Sequence, residues 1–239
     1  MRLASVAVPF VAAALAAGCA VDAVAENRVV WPSHATLARQ FDRIAFSSEF
    51  GGQYRKGRLI RWQGPIRVRL VGANTERFRP EVEQQLAELR QLSGLEITIG
   101  DGGSDALPAG MTIEFSNSRG GTSFDPEAPC RTLIWESGFV IKRVQIFIAP
   151  HPDELRRHCI VEELTQALGL ADDSRVIRDS IFNDASARRR LAPWDALMVR
   201  ILYDPRLEPG MHKRDAMPIV RRIIAEQLGR TATSSSRPR

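Results

Sequence analysis

The chain has 239 residues, of which 44% are hydrophobic and 26% charged, and its formal net charge is +5. That composition suits one globular domain with a real core and appended ends. Its basic balance would suit an anionic partner, but nucleic acid is excluded because the N-terminus marks the chain for export.

The first 25 residues, "MRLASVAVPFVAAALAAGCAVDAVA", place an arginine before an apolar run too short to span a bilayer comfortably, followed by small residues. This is the pattern of a signal peptide. Two processing sites compete: "LAAGC" resembles a lipobox that would lipidate Cys19, whereas "AVAEN" offers a plain cut after Ala25. Either one sends the protein out of the cytoplasm, periplasmic or lipid-anchored to a bacterial envelope membrane, with the lipid its sole link to that membrane. Loss or lipidation of Cys19 leaves Cys130 and Cys159, and in an oxidising compartment a leftover pair is expected to form a disulfide.

A single domain is expected from about Trp31 to about Leu228, followed by a disordered basic tail over 229–239. A first helix runs from Ser33 to Phe46, with Leu37, Phe41 and Ile44 at helical spacing behind a Ser33 cap. "PIRVRLVG" alternates as a strand does. "RPEVEQQLAELRQLSG" is a helix opened by Pro80 and closed at Gly94. "LEITIG", "MTIEFSN", "RTLIWES" and "KRVQIFIAP" are strands, the third of them expected at the sheet edge. "HPDELRRHCIVEELTQALG" is a long helix with Asp153 and Glu154 at its positive end and Gly169 as its stop. The order predicts an α+β domain: a twisted mixed sheet whose edge strand lies over that last helix.

On this helix Ile160, Val161, Leu164, Ala167 and Leu168 form an apolar back, while His158, Glu162 and Gln166 follow one another at four-residue spacing on the other side. Any amphipathic helix has a polar face, so this row alone is no site. "VEELTQALGLADDS" nevertheless reads as HExxHxLGLxxD with both histidines replaced, by Glu162 and Gln166. Downstream, "SIFND" places Phe182 where a methionine turn would sit, and "WDALMVRILYDP" matches the helix that closes such domains.

In element order, residues from about Ile66 to Pro205 resemble the metzincin clan of zinc peptidases. "RRHCIVEELTQALGLADDS", "SIFND" and "ILYDPRLEPGM" resemble a bacterial family of exported proteins defined as domain-of-unknown-function family 2927. The resemblance implies a zincin-like fold, Glu163 in the place of the general base, Asp172 in the place of a third ligand, and Phe182 and Asn183 supporting the cleft. It brings no established activity.

The departures weigh against zinc, which favours imidazole and thiolate over the oxygens of Glu162, Gln166 and Asp172. Tight zinc is not expected; a hard divalent cation such as calcium, magnesium or manganese suits such a set better. His158 is the one imidazole near the row and could hold a metal with Glu162; it reads more simply as a surface histidine. The expectation is therefore a degenerate metallopeptidase-like site in a binding or assembly protein, its partner a peptide or an envelope protein or polymer. The rival expectation is a hydrolase in which Glu163 serves as general base beside an atypical oxygen-ligand metal site.

Overall fold

The computed structural model describes residues 29–47, 57–100, 110–116 and 128–235, with side chains described as far as 230. The expected signal segment with Cys19 lies outside these residues, as do the last four residues of the tail. Helix α1 (His34–Phe46) starts where expected: the Ser33 side chain accepts from the Thr36 amide, and Leu37, Phe41 and Ile44 are buried. Strand β1 (Ile66–Gly72) buries Ile66 and Val68. Helix α2 (Thr75–Ser93) begins earlier than the proline suggested, so Pro80 lies inside it. The chain turns into it through left-handed Asn74, and only one ring-blocked amide, close to the N-terminus, is lost from the helical ladder. Gly94 closes α2 in the left-handed conformation.

Strands β2 (Ile97–Ile99), β3 (Met111–Phe115), β4 (Cys130–Ser137) and β5 (Val140–Ile148) complete one sheet in the order β2-β1-β3-β5-β4. β1 pairs in parallel with β2 and β3, and β3 with β5; only β4, at the edge, runs antiparallel. The expected mixed sheet with "RTLIWES" at its edge is observed. At the coarser level the fold is mixed α/β: five helices and one five-stranded sheet that is mostly parallel. The β4–β5 hairpin turns through Gly138 and Phe139, both at positive φ, and the Phe139 amide donates to Glu136 Oε2. A register shift between Trp135 and Glu136 bends β4 near that turn.

Helix α3 (Asp153–Gln166) packs on α2 and on β4 and β5. It is shorter than expected, giving way to a turn at Ala167 before Gly169. Its free terminal carbonyls are met by side chains: Trp62 Nε1 donates to Ala167 O at 3.0 Å and the Tyr203 hydroxyl to Leu168 O at 2.9 Å. The same hydroxyl accepts from the Trp62 amide, and its burial raises the Tyr203 pKa.

Helix α4 (Pro193–Leu202) packs on α2 and α1, and α5 (Lys213–Ser235) on α1. The periodic Ala216, Val220, Ile223 and Ile224 bury the inner face of α5, an element the sequence reading passed over. α5 also carries the chain in helical form to Ser235, where a disordered tail from 229 was expected; Gly229 alone does not stop it, and a proline comes only at Pro238.

Gly169 has φ +121°, and a Cβ there would lie 2.3 Å from the Ile60 carbonyl oxygen. Gly169→Ala is therefore expected to lower the unfolding free energy by about 2–4 kcal/mol, measured by denaturant titration. An unchanged midpoint would show that the turn relaxes freely.

Candidate functional site

The polar row of α3 lies beneath the edge strand. Cys130 of β4 is bonded to Cys159 of α3, with Cα atoms 5.8 Å apart, so the expected disulfide holds strand and helix together. Thr132 Oγ1 adds a hydrogen bond to the Glu163 carbonyl. Between strand and helix runs a cleft of about 290 Å³. Cys130, Arg131 and Thr132 form one wall, and His158, Glu162, Glu163 and Gln166 form the floor. Asp173 and Asp184 close the far end from the loop after α3.

Instead of facing solvent, His158, Glu162 and Glu163 are buried and Gln166 is half-buried. The surface reading of His158 is thereby corrected: β4 and the loop through Arg188 cover the face that a periodicity argument would leave exposed. Its Nδ1 donates to the Arg188 carbonyl at 2.6 Å, and its Nε2 stands 3.2 Å from Glu162 Oε2. Burial pushes the imidazole pKa down, but the Glu162 carboxylate, the Arg188 carbonyl and the Asp184 charge together outweigh it, so the pKa is raised.

Asp172 does not join this row. Its carboxylate pairs with Arg43 of α1 at 3.3 Å and accepts from the Asp173 amide at 3.0 Å, holding the loop from below. Asp173 takes the place expected for Asp172. Gln166 Nε2 donates to Asp173 Oδ1 at 2.7 Å, so the amide positions a carboxylate instead of lying idle. Oxygens of Glu162, Asp173 and Asp184 lie within 4.8 Å of one another, as do Cys130 Sγ and oxygens of Glu162 and Glu163. His151 enters no such group of three among the described residues.

Phe182 and Asn183 support the cleft without lining it. Phe182 is fully buried, and its carbonyl accepts from the Ser174 amide at 2.6 Å. Asn183 spans its turn, donating to the Arg178 carbonyl and accepting from the Ala185 amide. Behind them lies a buried polar chain that sequence reasoning missed. Ser174 Oγ donates to Gln40, Gln40 Nε2 to Ser180 Oγ, and Ser180 Oγ to Asp195. Asp195 also accepts from the amides of Ile181 and Ala192, the second as the third residue of α4 reaching back to its cap. Burial raises the Asp195 pKa despite these donors. Gln40 was concealed on a helix read only by its apolar positions.

The floor does not fit a classical catalytic zinc. Glu162 and Gln166 offer only oxygen, where the motif resemblance would call for two imidazoles, and Gln166 is already committed to Asp173. What the arrangement provides chemically is two buried carboxylates, Glu162 and Glu163, with half-buried Asp173 and exposed Asp184 near Glu162, beside an edge strand.

The family described as "Protein of unknown function (DUF2927)" matches residues 34–222. No curated protein matches the chain.

Asp195→Ala leaves two buried amides without an acceptor. It is expected to cost at least about 1–3 kcal/mol in chemical denaturation, and a neutral result would remove Asp195 as the support of the loop. For His158 the folded pKa lies above the unfolded one. The stabilisation is fully present below about pH 6.5 and is lost as pH rises through the folded value. The stability advantage of wild type over His158→Gln should therefore shrink from about pH 6 to alkaline pH; an advantage that grows with pH would reverse the assignment.

Proposed function

Because the chain belongs to the DUF2927 family, which brings a fold to be interpreted but no activity, we propose that it is an exported envelope protein on a zincin-like scaffold that binds an extended peptide segment. The segment would lie along the edge of β4, over the floor of α3. The protein acts in binding or assembly and not as a classical zinc peptidase. The N-terminal signal pattern supports export, and the sheet order, with one antiparallel edge strand above a buried helix, supports the scaffold.

The observation that carries the reading is the juxtaposition of an edge strand with a cleft. An edge offers backbone amides and carbonyls to an added strand, which gives affinity with little regard to sequence. Pockets beside the edge then select side chains. Here the cleft places Glu162, Asp173 and Asp184 at one end and Arg131 on the strand, so it favours a segment carrying a basic side chain toward the acidic end.

A second reading, a hydrolase, draws on Glu163. It is buried in the floor and is the residue to which the motif resemblance gives the general base's role, and the carboxylates of Glu162, Asp173 and Asp184 are close enough to share one hard divalent cation. Glu163 would then take a proton from a water held in the cleft.

Both readings are tested on the mature chain, residues 26–239, with a mixed library of extended peptides. The binding reading expects retention of uncleaved peptides carrying Lys or Arg, and loss of retention when alternate backbone amides are N-methylated. No retention would sink it. Cleavage that disappears in Glu163→Gln would place the hydrolase reading first.

A further inference from the structure

The polar row of α3 has an apolar head. Leu155, His158, Glu162 and Gln166 follow one another at spacings of three, four and four residues, so Leu155 belongs to the same stripe of the helix. It lines the cleft and is 36% exposed there, with Ala128 and Pro129 in the same lining. Strand and helix advance together: Cys130 is bonded to Cys159, and Thr132 Oγ1 reaches the Glu163 carbonyl further on. The Pro129 carbonyl accepts from the Ala149 amide at 2.9 Å, just ahead of α3. Ala128 and Pro129 are thereby carried toward Leu155. The cleft has two unlike ends, this apolar one and the acidic one of Glu162, Asp173 and Asp184.

The helix sets the distance between them. At about 1.5 Å per residue, Glu162 lies about 10 Å and Gln166 about 16 Å along the axis from Leu155. Gln166 holds Asp173 at 2.7 Å, so the acidic end is centred about 13 Å from the apolar one. Side chains on one face of an extended chain recur about every 6.6 Å, and two such steps cover that distance. Charge complementarity fixes which end takes a cation. Against Arg131 on the strand wall and His158 on the floor, the lining sets the carboxylates of Glu162, Glu163, Asp173 and Asp184.

We infer that the segment bound in the cleft carries an aliphatic side chain and a lysine or arginine four residues apart, the first against Leu155, Ala128 and Pro129 and the second at Asp173 and Asp184. This spacing rests on the peptide-binding reading, to which it adds an apolar anchor and a fixed separation. A spacing of three or five puts the two side chains on opposite faces of an extended segment, so one of them turns away from the cleft. Leu155 is then the residue that selects the anchor. Its exposure is what leaves it available to a guest side chain, whereas the apolar back of α3 is spent on the core.

The test titrates the mature chain into dye-labelled peptides of Thr and Ser that carry one Leu and one Lys, in both orders, either three or four residues apart, and reads fluorescence anisotropy. In the order that binds, a spacing of four should be tighter than a spacing of three by about tenfold or more, the worth of one aliphatic side chain taken out of water. Replacing the peptide's Leu by Ser should cost as much in wild type and nothing in Leu155→Ser, which retains the preference for Lys. Asp184→Asn should do the reverse, weakening the preference for Lys and keeping that for Leu, and the Lys preference should fall as salt rises. Both variants change exposed residues, and the comparison of spacings needs no variant at all. Equal affinity at the two spacings would overturn the inference, as would a Leu preference untouched by Leu155→Ser or a Lys preference untouched by Asp184→Asn. Binding of peptides without the four-residue pattern overturns the spacing alone and leaves the peptide-binding reading standing; binding of no peptide, here or in the mixed library, sinks both.

Discussion

The burial of the polar side of α3 is the constraint on which the rest of the structure depends. A helix that carries His158, Glu162 and Glu163 on one side would ordinarily turn them to water; here β4 covers them, pinned by the disulfide. Buried charged groups must find partners or become costly. The Arg188 carbonyl and Glu162 serve His158, and Gln166 is spent on Asp173. The loop between α3 and α4 is therefore shaped by what α3 requires. It brings carbonyls and carboxylates back over the helix instead of simply connecting two elements.

That loop has little regular structure of its own, and a second set of buried groups holds it. Gln40, Ser174, Ser180 and Asp195 link α1, both parts of the loop and the start of α4. Arg43, also on α1, fixes Asp172. The first helix thus acts as the foundation under the cleft. At the other end of α3, Trp62 and Tyr203 take the last carbonyls, and Gly169 lets the chain pass close to Ile60.

Periodicity revealed most of the fold. The apolar spacing of α1, the alternation in β1, the edge position of β4 and the apolar back of α3 follow from local pattern, which responds to one burial direction per element. The same rule fails where an element is buried on several sides, hence the misplaced surface reading of His158. It also fails where side chains reach across distant segments. Nothing local distinguishes Asp172 from Asp173 in "ADDS"; which of the two turns to the cleft depends on Arg43, which lies 130 residues from Asp173 in the chain. Asp184 was legible only as the neighbour of Asn183, and Asp195 only as a position in a motif, not as the acceptor for two loop amides. The paired cysteines were legible because Cys130 and Cys159 are the two that remain once Cys19 is set aside with the N-terminal segment.

The irregularity in β4 has a consequence for self-association. A long flat strand edge invites another copy of itself and grows into a filament. β4 is regular from Cys130 only to the register shift between Trp135 and Glu136, and beyond it the strand bends and turns back at once. Arg143 covers the exposed ring of Trp135, its guanidinium carbon 3.9 Å from the ring centre, so this exposed apolar group beside the bend is shielded by a charge. The regular pairing edge is thereby limited to Cys130–Trp135, so any added strand is held to that short stretch.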